Sequence, residues 1–326
     1  MGTREEVFKI LDANRGVFIS GEELANALHV SRNAVWKAVQ ALRENGQCIE
    51  AGTNKGYMLP NNGDILTMPG VRRFLDEKYR LLDIRVYDKV SSTNNLVKEQ
   101  AAMGSPEGFV IVASGQTNGR GRLGRSFYSP EETGIYMSIL LRPNVESGKD
   151  AVAITTIAAV AAAEAVELAC GKKTEIKWVN DIMINGKKVC GILTEASFGL
   201  EDGKVECVVL GLGFNVYTPS GGFPAEIADI AGSIFDDRVR DGRNKLVADF
   251  LNLFFGYYEH LGDKTYAEKY KERCMVLGKD IYVISSEGKK PAKALDLDED
   301  CRLLVEYEDR TTGWLTTGEI SVRIKE

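Results

Sequence analysis

Histidine is almost missing from this chain: of 326 residues only His29 and His260 carry an imidazole, and no nucleophile stands beside either one. A hydrolytic centre built on a histidine base therefore has no obvious parts here. The six cysteines are scattered without a Cys-x-x-Cys, so neither a zinc site nor a disulfide framework can be assembled from their spacing. Reduced thiols and a polar N-terminus with no signal-peptide pattern predict a cytoplasmic protein. Excess positive charge is lacking too. A net charge of -6 excludes a chain coated with nucleic acid and confines any DNA contact to a local patch. Long uninterrupted apolar runs are absent: the Ala-rich stretch from Ala151 to Ala169 is broken by Thr155, Thr156, Glu164 and Glu167, and reads as a packed helix rather than a membrane span. What remains, 44% hydrophobic and 27% charged, is the composition of a soluble globular protein long enough for two or three domains.

The most distinctive stretch runs from Gly115 to Pro130. Arg120, Arg122 and Arg125 stand among Gly119, Gly121 and Gly124, directly after the apolar run Phe109 to Ala113, which reads as a buried strand. Fixed cations on a backbone without Cβ obstruction point to an anionic ligand, phosphate or carboxylate; a solvated basic loop is the alternative. The lysine that closes a P-loop is missing, and no Gly-x-Gly-x-x-Gly opens a helix here.

In the first sixty residues Val7, Ile10 and Leu11 recur at helical spacing. Ser20-Gly21-Glu22-Glu23 is a capping box for a second helix with Leu24 and Leu28 inward. Ser31 then caps a third helix with Val35, Val39 and Leu42 on one face, stopped by Gly46. Two helices and a tight turn match a helix-turn-helix, and Ile49 to Leu59 around Gly52-Thr53-Asn54-Lys55-Gly56 predicts a hairpin wing. Lysine and arginine are no more frequent here than aspartate and glutamate, so a plain helical adaptor is the competing reading. The third helix favours DNA: Ser31, Arg32, Asn33 and Lys37, with Arg43 further along and Lys55 in the wing, are the candidate contacts. Asn61-Asn62-Gly63-Asp64 reads as a linker.

Beyond it, Ile84 to Val90 alternates as a half-exposed strand and runs into Ser91-Ser92-Thr93-Asn94-Asn95 and a helix through Ala102. The hydroxyls and amide of Ser92, Thr93 and Asn94, and that of Gln116, either cap and brace the backbone or hold a neutral polar group such as a urea. Asn185-Gly186 between Ile182-Met183-Ile184 and Lys187 to Leu193 is a type I′ hairpin signal. Lys187 and Lys188 point to opposite faces, so either one of them reaches a site, with Gly191 marking a bulge or a close ligand approach, or both are solvated turn lysines. A turn at Glu201-Asp202-Gly203 leads to a strand through Gly211-Leu212-Gly213 to Asn215, where the glycine pair either aids packing or lets a flat ligand lie on the sheet. After the apolar helical stripe of Leu246, Val247, Phe250, Phe254 and Tyr257, five short strands from Gly278 onward predict a small barrel.

Ser92-Thr93-Asn94, Gln116, Gly119 to Arg125, Lys177-Trp178-Val179-Asn180-Asp181, Lys188 to Leu193 and Gly211 to Asn215 occur in the order seen in biotin protein ligases. With the helix-turn-helix, the chain resembles the bifunctional members that also repress biotin operons. Val179 stands where proline is usual, Cys190 where alanine is usual and Phe127 where tryptophan is frequent. The resemblance implies an α+β fold in three domains: a winged helix-turn-helix over 1–62, a mixed or antiparallel sheet with helices over 63–272, and an SH3-like domain over 273–326. It implies ATP, Mg²⁺ and biotin as ligands, a carrier-protein lysine as acceptor, operator DNA as a partner and a homodimer when biotinyl-5'-AMP is bound. Arg120, Arg122 and Lys188 become the catalytic candidates, and Ser92, Thr93, Asn94, Gln116, Arg120, Gly121, Arg122 and Lys188 the biotin pocket. Arg122, Arg125, Phe127, Asn180, Asp181, Asn215 and Arg323 fall to ATP and the adenylate, with Asp181 as the Mg²⁺ candidate. A lipoate-type ligase and a non-catalytic ligand-sensing repressor are the alternatives.

Overall fold

The computed structural model describes residues 2–324 apart from 45–46, 48, 61–62, 144–148, 199–204, 286–287 and 317–320. The expected stop at Gly46, the linker asparagines Asn61 and Asn62, the turn at Glu201-Asp202-Gly203 and Ile320, where the last of the five expected short strands begins, lie outside the described residues. The chain forms two compact units, one comprising Met1–Leu75 with Asp237–Ala248 and the other Asp76–Asp236 with Asp249–Glu326.

In the first unit α1 (Thr3–Ala13), α2 (Gly21–Ala27) and α3 (Arg32–Glu44) precede a hairpin of β1 (Glu50–Gly52) and β2 (Gly56–Met58). The capping box forms: Ser20 Oγ accepts from the Glu23 N–H at 3.1 Å, and the Glu23 carboxylate accepts from the Ser20 N–H at 2.8 Å. Val7, Leu11, Leu24, Val35, Val39 and Leu42 close one apolar core, so the helical stripe of the sequence is the packed face. Ser31 Oγ accepts from the Ala34 N–H at 3.2 Å and starts α3. Asp64 is not free linker. It is buried and receives the Arg243 N–H at 2.9 Å and Nε–H at 3.1 Å, a pairing across the sequence that no local pattern announces. A short α4 (Met68–Arg72) follows, and Asn244 receives the Thr67 N–H at 3.0 Å.

The second unit is built on a seven-stranded mixed sheet. Its strands are β3 (Ile84–Val90), β4 (Val110–Gln116), β5 (Gly134–Leu141), β6 (Glu175–Lys177), β7 (Asp181–Ile184), β8 (Lys187–Phe198) and β9 (Val205–Asn215), in the order β3-β4-β5-β9-β8-β7-β6. Only the β3/β4 pair is parallel, as the crossover helix α5 (Thr93–Ala102) between them requires. Helix α5 packs Val97 against Phe109, Ile111, Leu140 and Val209. The Ala-rich stretch is α6 (Lys149–Cys170). Its part from Val152 to Cys170 is long and apolar enough to cross a membrane by composition, but most of it is buried, with small residues letting it approach β7 and β8. Helix α7 (Gly242–Tyr258) starts in the first unit and ends in the second, where Phe250 meets Phe214 edge-on at 6.0 Å.

After α8 (Tyr266–Arg273) come β10 (Asp280–Ser285), β11 (Gly288–Leu297), β12 (Leu303–Tyr307), β13 (Thr312–Leu315) and β14 (Ser321–Ile324), an antiparallel sheet in the order β13-β12-β11-β10-β14. Among the described residues β13 and β14 do not pair, so the barrel expected from the sequence is a five-stranded sheet without closure. Trp178 ties it to the large sheet by donating Nε1–H to the Cys301 carbonyl at 3.0 Å, and Tyr270 donates its buried hydroxyl to the Val179 carbonyl at 3.0 Å.

Candidate functional site

One cavity gathers most of the residues singled out in the sequence. It lies over β8 and β9 and is lined by Ser92, Thr93, Asn94 and Gln116 from one side, Arg120, Gly121, Arg122 and Phe127 from the glycine-arginine loop, and Asn180 and Lys188 from the β7/β8 region. Gly191, Leu193, Gly211 and Gly213 contribute to its lining as well. Arg125, Asp181, Asn215 and Arg323 are not in its lining.

The loop is held as a small folded ribbon. Arg120 bridges to Ser126, the Gly121 N–H donates to the Arg125 carbonyl at 2.7 Å, and the Phe127 N–H donates to the Gly119 carbonyl at 2.9 Å. Glycine is required at 119 because a Cβ there would lie 2.4 Å from both the Phe127 carbonyl and Ser129 Oγ. The ribbon turns Arg122 inward, where Nη1–H donates to Asn180 Oδ1 at 3.1 Å. Burial pulls the Arg122 guanidinium below its ordinary value, and the nearby Asp181 charge opposes that shift. Asn180 is itself fixed, since its Nδ2 donates to the Ile192 carbonyl at 2.7 Å.

At Asn185-Gly186 both residues have positive φ, 50° and 74°, as the type I′ turn demands. The bulge falls two residues before the glycine that the sequence suggested: Ile182 opposes Cys190 and Met183 opposes Lys188, leaving Val189 as the extra residue. That extra residue moves Lys188 onto the face of Gly191, whose position a Cβ could occupy only 2.8 Å from the Lys188 Cε and Nζ. Lys187 turns outward to the Ala228 carbonyl at 3.2 Å. The reaching lysine is Lys188. Its Nζ lies 2.6 Å from Asp181 Oδ1, a buried oxygen that makes this ion contact without an aligned hydrogen bond, and 5.7 Å from the Phe127 ring centre.

Gly191 and Gly213 face each other across β8 and β9. The Phe127 ring lies on that ledge, since a Cβ on Gly213 would come within 2.4 Å of the ring. At the other end of the cavity Ser92, Thr93 and Asn94 are buried, and Ser92 stands at the helix N-cap without a capping bond from its side chain. Thr93 N–H donates to Gln116 Oε1 at 2.8 Å, and Gln116 Nε2 donates to Ser129 Oγ at 3.2 Å. Asn94 packs so closely over Gly211 that a Cβ there would meet its Oδ1 at 2.1 Å. The site thus has a neutral hydrogen-bonding end and a cationic end, joined by a glycine floor.

A family model for the biotin/lipoate A/B protein ligases matches residues 86–215, an HTH domain model residues 3–58, and a biotin protein ligase C-terminal domain model residues 276–323. The bifunctional ligase/repressor BirA of Bacillus spizizenii is 35% identical over 94% of both chains, and that of Bacillus subtilis matches to the same extent. This chain belongs to the biotin protein ligase family. A solved biotin protein ligase from Aquifex aeolicus in complex with biotin and ATP is 27% identical, covering 74% of this chain and 99% of its own, with a TM-score of 0.62.

Within this ligase fold several site residues escaped the sequence. Ser138 and Glu195 stand behind Thr93 and Asn94, and Lys177 lies among the cations around Asp181. Burial lowers the Lys177 ammonium, Asp181 opposes this, and the charges of Arg323, Lys188 and Arg125 add to it. Arg125 and Arg323 thus belong to the same charged region although they do not line the cavity. Asn215 donates Nδ2–H to the Lys188 carbonyl at 3.2 Å and so braces the lysine's strand. No group of three or more His, Cys, Asp or Glu side chains suited to a metal occurs among the described residues. Ser31 at the start of α3 and Arg32, Asn33 and Lys37 on it are exposed, as is Lys55 in the hairpin, whereas Arg43 donates Nε–H to the Ile49 carbonyl at 2.9 Å and serves the fold.

Proposed function

We propose that the chain is an ATP-dependent biotin protein ligase that forms biotinyl-5'-AMP and transfers biotin to a lysine of a biotin carboxyl carrier protein. The observation that carries this reading is the two-ended cavity, polar and neutral at Ser92, Thr93, Asn94 and Gln116 and cationic at Arg120, Arg122 and Lys188. A ureido head group suits the first end, and a carboxylate meeting an α-phosphate suits the second. Two anions must approach in the first step, and fixed cations in a partly dry cavity lower that barrier without covalent chemistry. Lys188 and Arg122 neutralise the charge that develops between carboxylate and phosphate, and Arg120 closes the loop side. Phe127 offers a ring for adenine, and Asn180, Arg125, Asn215 and Arg323 complete the nucleotide region. Asp181 would hold Mg²⁺: its buried Oδ1 has the Lys188 ammonium as an ion contact but no aligned hydrogen bond, and one carboxylate plus phosphate oxygens is the usual magnesium set. The ion would supply charge neutralisation on the polyphosphate.

The same reading extends to regulation. The winged helix over 1–62 binds operator DNA through Ser31, Arg32, Asn33, Lys37 and Lys55, and acts as a homodimer on a two-fold site when the adenylate is bound. Residues 63–272 form the catalytic domain and 273–326 an SH3-like one. Biotin-dependent exchange of pyrophosphate into ATP tests the ligase reading: exchange with biotin and none with lipoate is the expected result, and absence of exchange with either leaves a ligand-sensing repressor.

A further inference from the structure

Behind the neutral end of the cavity runs a chain of side chains whose direction can be worked out proton by proton. Glu195 Oε1 receives the Lys98 ammonium at 2.6 Å, and Oε2 receives Asn94 Nδ2–H at 2.7 Å. Burial pushes the Glu195 carboxyl up, but the bonds from Lys98 and Asn94 and the charges of Lys98 and Arg120 outweigh it and hold the group ionised. An ionised carboxylate only accepts, so Asn94 must turn its NH₂ toward Glu195 and its Oδ1 toward Ser138. Ser138 Oγ lies 2.5 Å from that Oδ1 and 2.7 Å from Thr93 Oγ1. A serine has one proton, and the amide oxygen can only accept, so the proton goes to Asn94. The short contact to Thr93 is then made by the threonine proton, donated to Ser138. The 3.2 Å approach of Thr93 Oγ1 to Gln116 Oε1 is left without a proton, and Gln116 is satisfied by the Thr93 N–H instead.

We infer that Glu195, outside the cavity, is a positioning residue that sets the direction of the chain Glu195–Asn94–Ser138–Thr93 and so makes Thr93 Oγ1 an acceptor for a ligand N–H. The inference rests on the ligase reading and deepens it to specificity. A head group with N–H donors, such as a cyclic urea, is recognised; a dithiolane or a plain acyl chain has nothing to donate. Discrimination between the two substrate classes of the wider fold then lies partly in a carboxylate that touches neither of them.

The test uses the full chain, with biotin and biotin methylated on both ureido nitrogens as probes and calorimetry as the readout. Wild type should prefer biotin strongly. In Glu195→Gln the new amide can donate to Asn94 and reverse the chain, so biotin should bind about tenfold more weakly or worse. The methylated probe should lose little further, and ATP affinity should stay as in wild type. Ser138→Ala cuts the chain one link later with the Lys98–Glu195 pair intact, and should shrink the same preference even if Glu195→Gln folds poorly. A preference unchanged in these variants, or equal losses for both probes, overturns the inference while leaving the ligase reading intact. A wild-type protein that binds no biotin overturns both.

Discussion

Lys188 and Asp181 face each other across the β7/β8 hairpin with 2.6 Å between Nζ and Oδ1, so the lysine proposed for the reacting phosphate is held by the carboxylate proposed for magnesium. On the proposed reading, nucleotide and its magnesium ion would give each of the two groups a new partner. Lys188→Ala should therefore lower pyrophosphate exchange by about a hundredfold or more with the fold intact, since one positioned cation at developing charge is typically worth on the order of 3 kcal/mol. Exchange at the wild-type rate would remove Lys188 from the chemistry.

Arg122→Gly breaks the contact between the loop and Asn180. Adenylate synthesis should persist in part, and the intermediate should escape faster. Free biotinyl-5'-AMP, measured by chromatography after a single turnover, should rise several-fold; equal release would argue against the loop as a cover.

Gly213→Ala places a methyl group where the Phe127 ring now rests. Displacing the ring should raise the KM for ATP and leave biotin affinity near its wild-type value, because the neutral end of the cavity lies elsewhere along the strands. An unchanged KM for ATP would separate Phe127 from the adenine.

Three arginines and lysines of the helix-turn-helix divide by their partners. Arg32→Ala and Lys37→Ala should each weaken operator binding and reduce the slope of log affinity against log salt by about one. Arg43→Ala should lower thermal stability with little change in that slope, because its guanidinium is committed to the Ile49 carbonyl. Titrations at several salt concentrations distinguish the two outcomes.

Asp64→Ala leaves Arg243 buried without its carboxylate, with side-chain exposures of 0% and 4% in the intact pair. The loss should be roughly 3–5 kcal/mol, read as a lower denaturation midpoint. A loss below about 1 kcal/mol would mean that water reaches the pair.

Local chemistry was legible in the sequence wherever a rule of short range applied. The capping box at Ser20 and Glu23, the hairpin at Asn185-Gly186 and the buried face of α3 all follow from spacing. The orientation of Lys188 did not, because it depends on the extra residue at Val189: Gly191 hinted at a bulge, but an apolar residue at 189 does not mark its position. Ser138 hides inside the apolar strand Ile135 to Leu141, and Glu195 two residues beyond Leu193 on a strand whose neighbours suggest only packing. A lone hydroxyl in a fully buried strand was the available signal, since such a group needs a partner. Asp64 looked like linker because its partner lies far along the chain at Arg243.

The partition of the chain has a consequence for anyone who would take it apart. The first unit draws on residues near the N-terminus and on Asp237–Ala248, so the polypeptide passes between units at Leu75, again at Asp236 and a third time inside α7. No single cleavage of the gene yields that unit whole. Removing residues 1–62 should spare exchange activity and abolish operator binding, yet it strands Arg240, whose guanidinium pairs with Asp12 at 2.5 Å. The unit that carries the helix-turn-helix is thus interleaved with the other in the linear message, and recombination that exchanged this unit whole would have to exchange two segments together.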